Sequence, residues 1–207
     1  MWNAVVMDLP FELETDVERA IAAEPDWQEG IEWGSARLGH PEGAVKFHIA
    51  HVLANVEREA TSLDERETAS GGLTPQASES MRRRLRLAAL VHDSFKYRAP
   101  EGSARVGSDA HHGSLAAEFL EGFVDDGELV EVVRWHDEAF AAWLGLVKRG
   151  DRRRAKRRAR ELVKRLGPAL PLFLRFFRAD NATEGKSPES VEWFESFARR
   201  RALKRNA

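Results

Sequence analysis

Residues 85–96 read Leu-Arg-Leu-Ala-Ala-Leu-Val-His-Asp-Ser-Phe-Lys. The run closes a helical pattern that starts at the Thr74-Pro75 cap and first-turn pair and carries Met81, Leu85, Ala88 and His92 on one face. The apolar stripe therefore leads to a histidine followed at once by an aspartate. A neutral imidazole and an adjacent carboxylate can ligate one cation, and the carboxylate can also bridge two.

Outward from this point, apolar residues recur at spacings of three and four, and sustained alternation at period two is hard to find, so the fold class is all-α. Upstream, a helix predicted to start near Pro41 places Val45, Ile49, Val52, Leu53 and Val56 on one face. Downstream, residues 98–108 form a loop with Pro100, Gly102 and Gly107, placed to act as a lid over the His-Asp segment. Asp109 or Ser108 is the predicted cap of a helix bearing Leu115, Phe119 and Phe123, and Asp125 or Asp126 caps one bearing Leu129, Val132, Val133 and His136. Further helices are predicted over 139–149, 151–166, 169–180 and 188–203, punctuated by Gly167-Pro168 and Ser187-Pro188.

At about 100° per residue, helical geometry separates neighbouring histidines. His112 lies within the Leu115/Ala116/Phe119/Phe123 face while His111 points to its flank, and His48 is closer than His51 to the Val45/Val52/Val56 face. Asp180 falls on the stripe of Phe173, Phe176 and Phe177, where an unpaired carboxylate would be prohibitive. Any one of these is more often a hydrogen-bonded core residue than a ligand. Five such positions, one of them a His-Asp pair, point to a shared metal site with His48, His92, Asp93, His112, His136 and Asp180 as ligands. Four imidazoles and two carboxylates suffice for one or two divalent ions, among Fe, Mn, Mg, Co, Ni and Zn.

The 207 residues predict one domain spanning 1–207, with the motif-bearing core at about 40–181. With 43% hydrophobic and 32% charged residues and a net charge of −2, bulk charge names no partner. The absence of cysteine excludes thiolate ligands, disulfides and cysteine nucleophiles, and fits a cytoplasmic protein. Neither a leader nor a membrane span is expected. Lys148–Arg165 holds Arg152-Arg153-Arg154 and Lys156-Arg157-Arg158, dense enough for a phosphate or nucleic-acid binding module. Ala155, Ala159, Leu162 and Leu166 form an ordinary apolar stripe behind them, and no aromatic interleaves with the arginines. A solvated helix face is thus the favoured reading, with nucleic acid disfavoured as a partner.

The order His48, His92-Asp93, His112, His136, Asp180 resembles the HD-domain superfamily. His48-Ile-Ala-His-Val52 is similar to that family's first motif helix, and Leu90-Val91-His92-Asp93 through Lys96 to its central motif. The resemblance implies a helical bundle with metal between the helices, and His112 and His136 look like the additional ligands of the two-metal branches. It also implies a metal-dependent phosphohydrolase acting on a small, nucleotide-like phosphoester through a metal-activated hydroxide, with a diiron oxygenase as the alternative. In such chemistry Asp93 bridges, Lys96 reaches a phosphate oxygen, and Asp137 acts as a base or orients an imidazole.

Overall fold

A computed structural model describes residues 8–36, 41–68, 74–99 and 104–203. Among these residues the fold is all-α: α1 (Asp16–Ala22), α2 (Pro25–Glu32), α3 (Val45–Thr68), α4 (Pro75–Val91), α5 (His112–Glu121), α6 (Gly127–Trp135), α7 (Glu138–Arg149), α8 (Arg152–Leu166), α9 (Leu170–Asn181) and α10 (Pro188–Leu203), with a 3-10 turn at Gly167–Ala169. Helices α3 and α4, α5 and α6, and α7 and α8 pack as consecutive pairs. Helix α9 lies against α3, α4, α6 and α8, and α10 covers α7, α8 and α9. No described helix is long and apolar enough to cross a membrane.

The predicted apolar faces of α3, α4, α6 and α9 are the buried ones, whereas on α5 the predicted Leu115, Phe119 and Phe123 are only partly buried and Ala116, Ala117 and Leu120 fill the core. Ile49, Val52 and Val56 of α3, Leu85 and Ala88 of α4, Leu129, Val132 and Val133 of α6, and Phe173, Phe176 and Phe177 of α9 join one core. Two boundaries differ from expectation by more than a residue. Helix α3 starts at Val45 rather than near Pro41, which leaves Glu42 in a turn. Helix α5 starts at His112, and its N-cap is His111 rather than Ser108 or Asp109, because the His111 ring accepts from the Gly113 N–H at 3.1 Å. Of the predicted lid, Pro100–Ser103 lies outside the described residues. The described part packs on Trp135, where a β-carbon at Gly107 (φ +78°) would fall 2.0 Å from the indole ring.

Helices α1 and α2 escaped sequence reading, although Thr15 and Glu18 form a reciprocal capping box and Pro25 sits in a first turn. They brace the His-Asp turn. The Trp27 indole donates to the Leu90 carbonyl at 2.9 Å, satisfying one of the acceptors orphaned at the end of α4. Gly30 lies so close behind that a β-carbon there would fall 1.6 Å from the Ser94 carbonyl oxygen. Arg86, buried on α4, donates to Glu18 at 2.8 Å, to Glu57 at 3.0 Å and to the Glu12 carbonyl at 2.9 Å, tying α1 and α3 to α4.

Candidate metal centre

The six predicted ligands come from five places in the chain and converge in the core. His48 projects from the first turn of α3, His92 and His136 are the C-caps of α4 and α6, His112 opens α5, and Asp180 lies in the last turn of α9. Asp93 follows His92 in the turn that ends α4. All six are buried.

Two groups of ligand atoms result. One comprises His48, His92 and Asp180, and the other Asp93, His112 and His136. Asp93 faces both. Its Oδ2 lies 3.6 Å from His48 Nε2 and 3.5 Å from His92 Nε2, whereas its Oδ1 lies 3.4 Å from the Nε2 atoms of His112 and His136. A carboxylate with one oxygen towards each ligand set has the disposition of a bridging ligand.

The imidazoles are oriented from behind. His92 Nδ1 lies 3.0 Å from the Ala89 carbonyl and His136 Nδ1 lies 2.8 Å from the Val133 carbonyl. A carbonyl only accepts, so each Nδ1 carries the proton and each Nε2 turns its lone pair inwards. The helix end makes this possible, because the last carbonyls lack helical partners and a C-cap histidine reaches back three residues. His48 Nδ1 is met instead by Glu42, at 3.1 Å, and the Glu42 carboxylate is itself buried.

Charge in the cluster is balanced by protons and ammonium groups. Burial alone would raise the Asp93 carboxyl, yet the Lys96 ammonium, 2.5 Å from Oδ2, helps to hold it well below the usual carboxylate range. Burial likewise opposes ionisation of Asp180, but Lys186 at 2.7 Å and His48 at 3.0 Å keep it far below its ordinary value. Burial lowers His92, which outweighs its acidic neighbours and favours the neutral ring. His48 is raised: burial pulls it down, and Asp180 and Glu42 more than compensate. Against the same burial, Asp137 and Asp93 lift His112 to about 9. His112 and His136 approach each other to 3.2 Å between Nε2 atoms, which two lone pairs tolerate only with a proton or another cation between them.

Two buried ligand atoms, His92 Nε2 and Asp93 Oδ1, have no hydrogen-bond partner among the described residues. Polar atoms left this way inside a protein are costly, and a cation would satisfy both. The nitrogen and oxygen donor set suits imidazole- and carboxylate-binding divalent ions. These buried groups could hold one or more metal ions.

A cavity of about 70 Å³ opens on the cluster, lined by Asp93, Lys96, His136, Asp137, Asp180 and Lys186, among others. Asp137 lies on this wall, with Oδ2 3.2 Å from His112 Nε2, and its carboxyl is lowered by His136 and His112 despite burial. Sequence reading did not single out Glu42 or Lys186, and it turned His111 to the flank of the α5 face, whereas the structure buries it. The first two stand in turns, where helical periodicity is silent. His111 is buried, lies 3.7 Å from Asp137 and could join a third group with His112 and Asp137, and burial lowers its pKa to about 4. No protein-family model, curated protein or solved structure matches the chain. The all-helical fold and its buried His/Asp groups are compatible with an HD-type domain.

Proposed function

We propose that the chain is an HD-type, dinuclear metal-dependent phosphohydrolase acting on a small phosphoester. The observation that carries this reading is the pair of ammonium groups at the cavity, Lys96 above Asp93 and Lys186 above Asp180, beside two ligand sets joined by one carboxylate. A phosphoryl group needs its equatorial oxygens neutralised and oriented, and two mobile point charges on one side of a cation pair meet that need. Divalent ions in the two ligand sets would supply Lewis-acid polarisation and an acidified water.

The chain's own residues do the rest. Lys96 and Lys186 exchange their carboxylate partners for phosphoryl oxygens as the substrate enters, which holds the phosphorus close to the ligand cluster. Asp137, partly exposed on the cavity wall, accepts a hydrogen bond from an entering water and orients it. Glu42 and the Ala89 and Val133 carbonyls keep the imidazoles from rotating. The cavity accommodates a phosphoryl group, and the remainder of the substrate, nucleotide-like in this reading, projects outwards.

The test is metal analysis of protein purified without added metal, followed by assay of phosphate release from phosphomonoesters and phosphodiesters. About two ions per chain and phosphate release abolished by a chelator are expected. Oxygen consumption coupled to substrate oxidation, with iron as the only effective metal and no phosphate release, would replace hydrolysis with the diiron oxygenase reading.

A further inference from the structure

Helix α8 carries nine Lys and Arg residues between Arg152 and Arg165 and a single acid, Glu161. Its inner stripe, Ala155, Ala159, Leu162 and Leu166, is buried as the apolar spacing requires. The outer residues, however, are more than a solvated face. Arg152, Lys156 and Arg160, spaced four apart, line one side of a groove of about 570 Å³. Arg200 and Arg201 of α10 line the other side, and Trp193 and Phe197 lie between as an aromatic floor.

These five cations are exposed, no acidic residue lines the groove, and none of the five has an ion-pair partner among the described residues. Cations gathered without acids repel one another, a cost that most surface helices avoid by interleaving charges. Trp193 and Phe197 are only partly buried, with their rings stacked at 6.3 Å and 27°. Along α8 itself no aromatic residue interleaves with the cations. The tertiary fold interleaves them by laying α10 alongside α8.

We propose that this groove binds single-stranded nucleic acid. Cations at three successive turns of α8 extend about 12 Å, more than one phosphate occupies, so the charge follows a chain rather than a lone anion. The ring floor offers a base the stacking surface that a paired duplex cannot use. The groove shares no residue with the cavity over the metal centre, so the proposal stands apart from the phosphohydrolase reading.

The experiment is fluorescence anisotropy of the intact chain with a labelled oligothymidylate of about twelve nucleotides, at ~50 mM salt and upwards. Competition by a duplex of the same length and by inorganic polyphosphate is measured alongside. Binding is expected to weaken with salt, with a log–log slope of about −2 or steeper from three or more phosphate contacts. The double substitution Lys156→Glu, Arg160→Glu should cost at least about tenfold, and Trp193→Leu on the order of tenfold for the oligonucleotide with no change for polyphosphate. Because Trp193 also packs on Phe194, thermal melting accompanies that variant, and Arg200→Glu, Arg201→Glu provides an independent exposed pair. Absence of binding overturns the proposal, as does equal preference for duplex or polyphosphate, or affinity that survives both charge reversals. Loss of binding on chelation would instead place the oligonucleotide at the metal centre.

Discussion

The chain concentrates charge in two places and treats it in opposite ways. At the metal centre, His48, His92, Asp93, His112, His136 and Asp180 are buried and compensated within hydrogen-bonding or ion-pairing distance. On α8, nine cations lie within one helix, and those over the α10 groove have no acidic partner there. Buried charge has to be neutralised locally because burial is expensive, whereas exposed charge is screened by water and salt and can wait for a partner. Substitutions at the first place should therefore change metal retention, and substitutions at the second should leave it alone.

The largest effect is expected at Asp93. Asp93→Ala removes the one side chain among the described residues that faces both ligand sets, so metal retention and turnover should fall by well over ~100-fold, beyond what loss of a supporting residue does. Helicity should be retained, because the residue lies in a turn and contributes little apolar volume. Metal stoichiometry and circular dichroism on the same sample check this, and a metal-loaded, active Asp93→Ala protein would dissolve the bridging assignment.

Gly30→Ala should be nearly as disruptive without touching a ligand. The added methyl would meet the Ser94 carbonyl at 1.6 Å, and backbone on both sides leaves little room to yield. Overpacking of this kind costs about 1–3 kcal/mol or more. The displacement falls on the turn bearing Asp93, so thermal stability and metal affinity should drop together. Loss of stability with metal affinity unchanged would show that α2 does not position the turn.

A smaller, purely local effect is expected for Glu42→Gln. The amide keeps the shape and removes the charge behind His48, which should weaken metal binding by about 10–100-fold with the fold intact. An unchanged dissociation constant would separate Glu42 from the centre.

Helices α7 to α10 were legible to within a residue, because Gly150, Gly167 and Pro188 punctuate long amphipathic runs whose period survives in the fold. The inward orientation of His112 and Asp180 followed from the same period. Helix α3 was placed too early because Pro41 is as compatible with a turn as with a first helical residue. Helices α1 and α2 are only 7 and 8 residues long, too short for periodicity to stand out, and the capping box at Thr15 and Glu18 was the available signal. What sequence cannot show is a partner brought from elsewhere: Glu42 behind His48, Lys186 on Asp180, or Trp193 beside the α8 cations. Each depends on two elements meeting, and no spacing within either one encodes it.

In chelator-treated protein, His112 has a pKa near 9 against an ordinary 6.5, raised by Asp137 and Asp93 over the opposition of burial. A raised folded-state pKa stabilises fully below the unfolded value and is lost as pH climbs through the folded one. Stability of the metal-free protein should thus decline between pH 6.5 and about 9, a window in which the carboxylates stay ionised. Metal would take the place of the proton, so the loaded protein should show a flatter profile. Melting temperatures of both forms across that range check the sign, and parallel profiles would mean that no proton is displaced.

The smallest effect is expected on α8. Lys156 and Arg160 are exposed, flank the buried stripe of Ala155 and Ala159, and have no ion-pair partner among the described residues. Surface changes of this kind stay within about ±0.5 kcal/mol. Lys156→Glu, Arg160→Glu removes two cations from a crowded row and adds two acids, so a slight gain in stability at low salt is the expected sign, fading as salt screens the row. Denaturant midpoints at low and high salt measure it. A large loss would mean that these side chains are held by the fold as tightly as the buried ligands, and that the α8 charge, like that of the metal centre, is compensated from within.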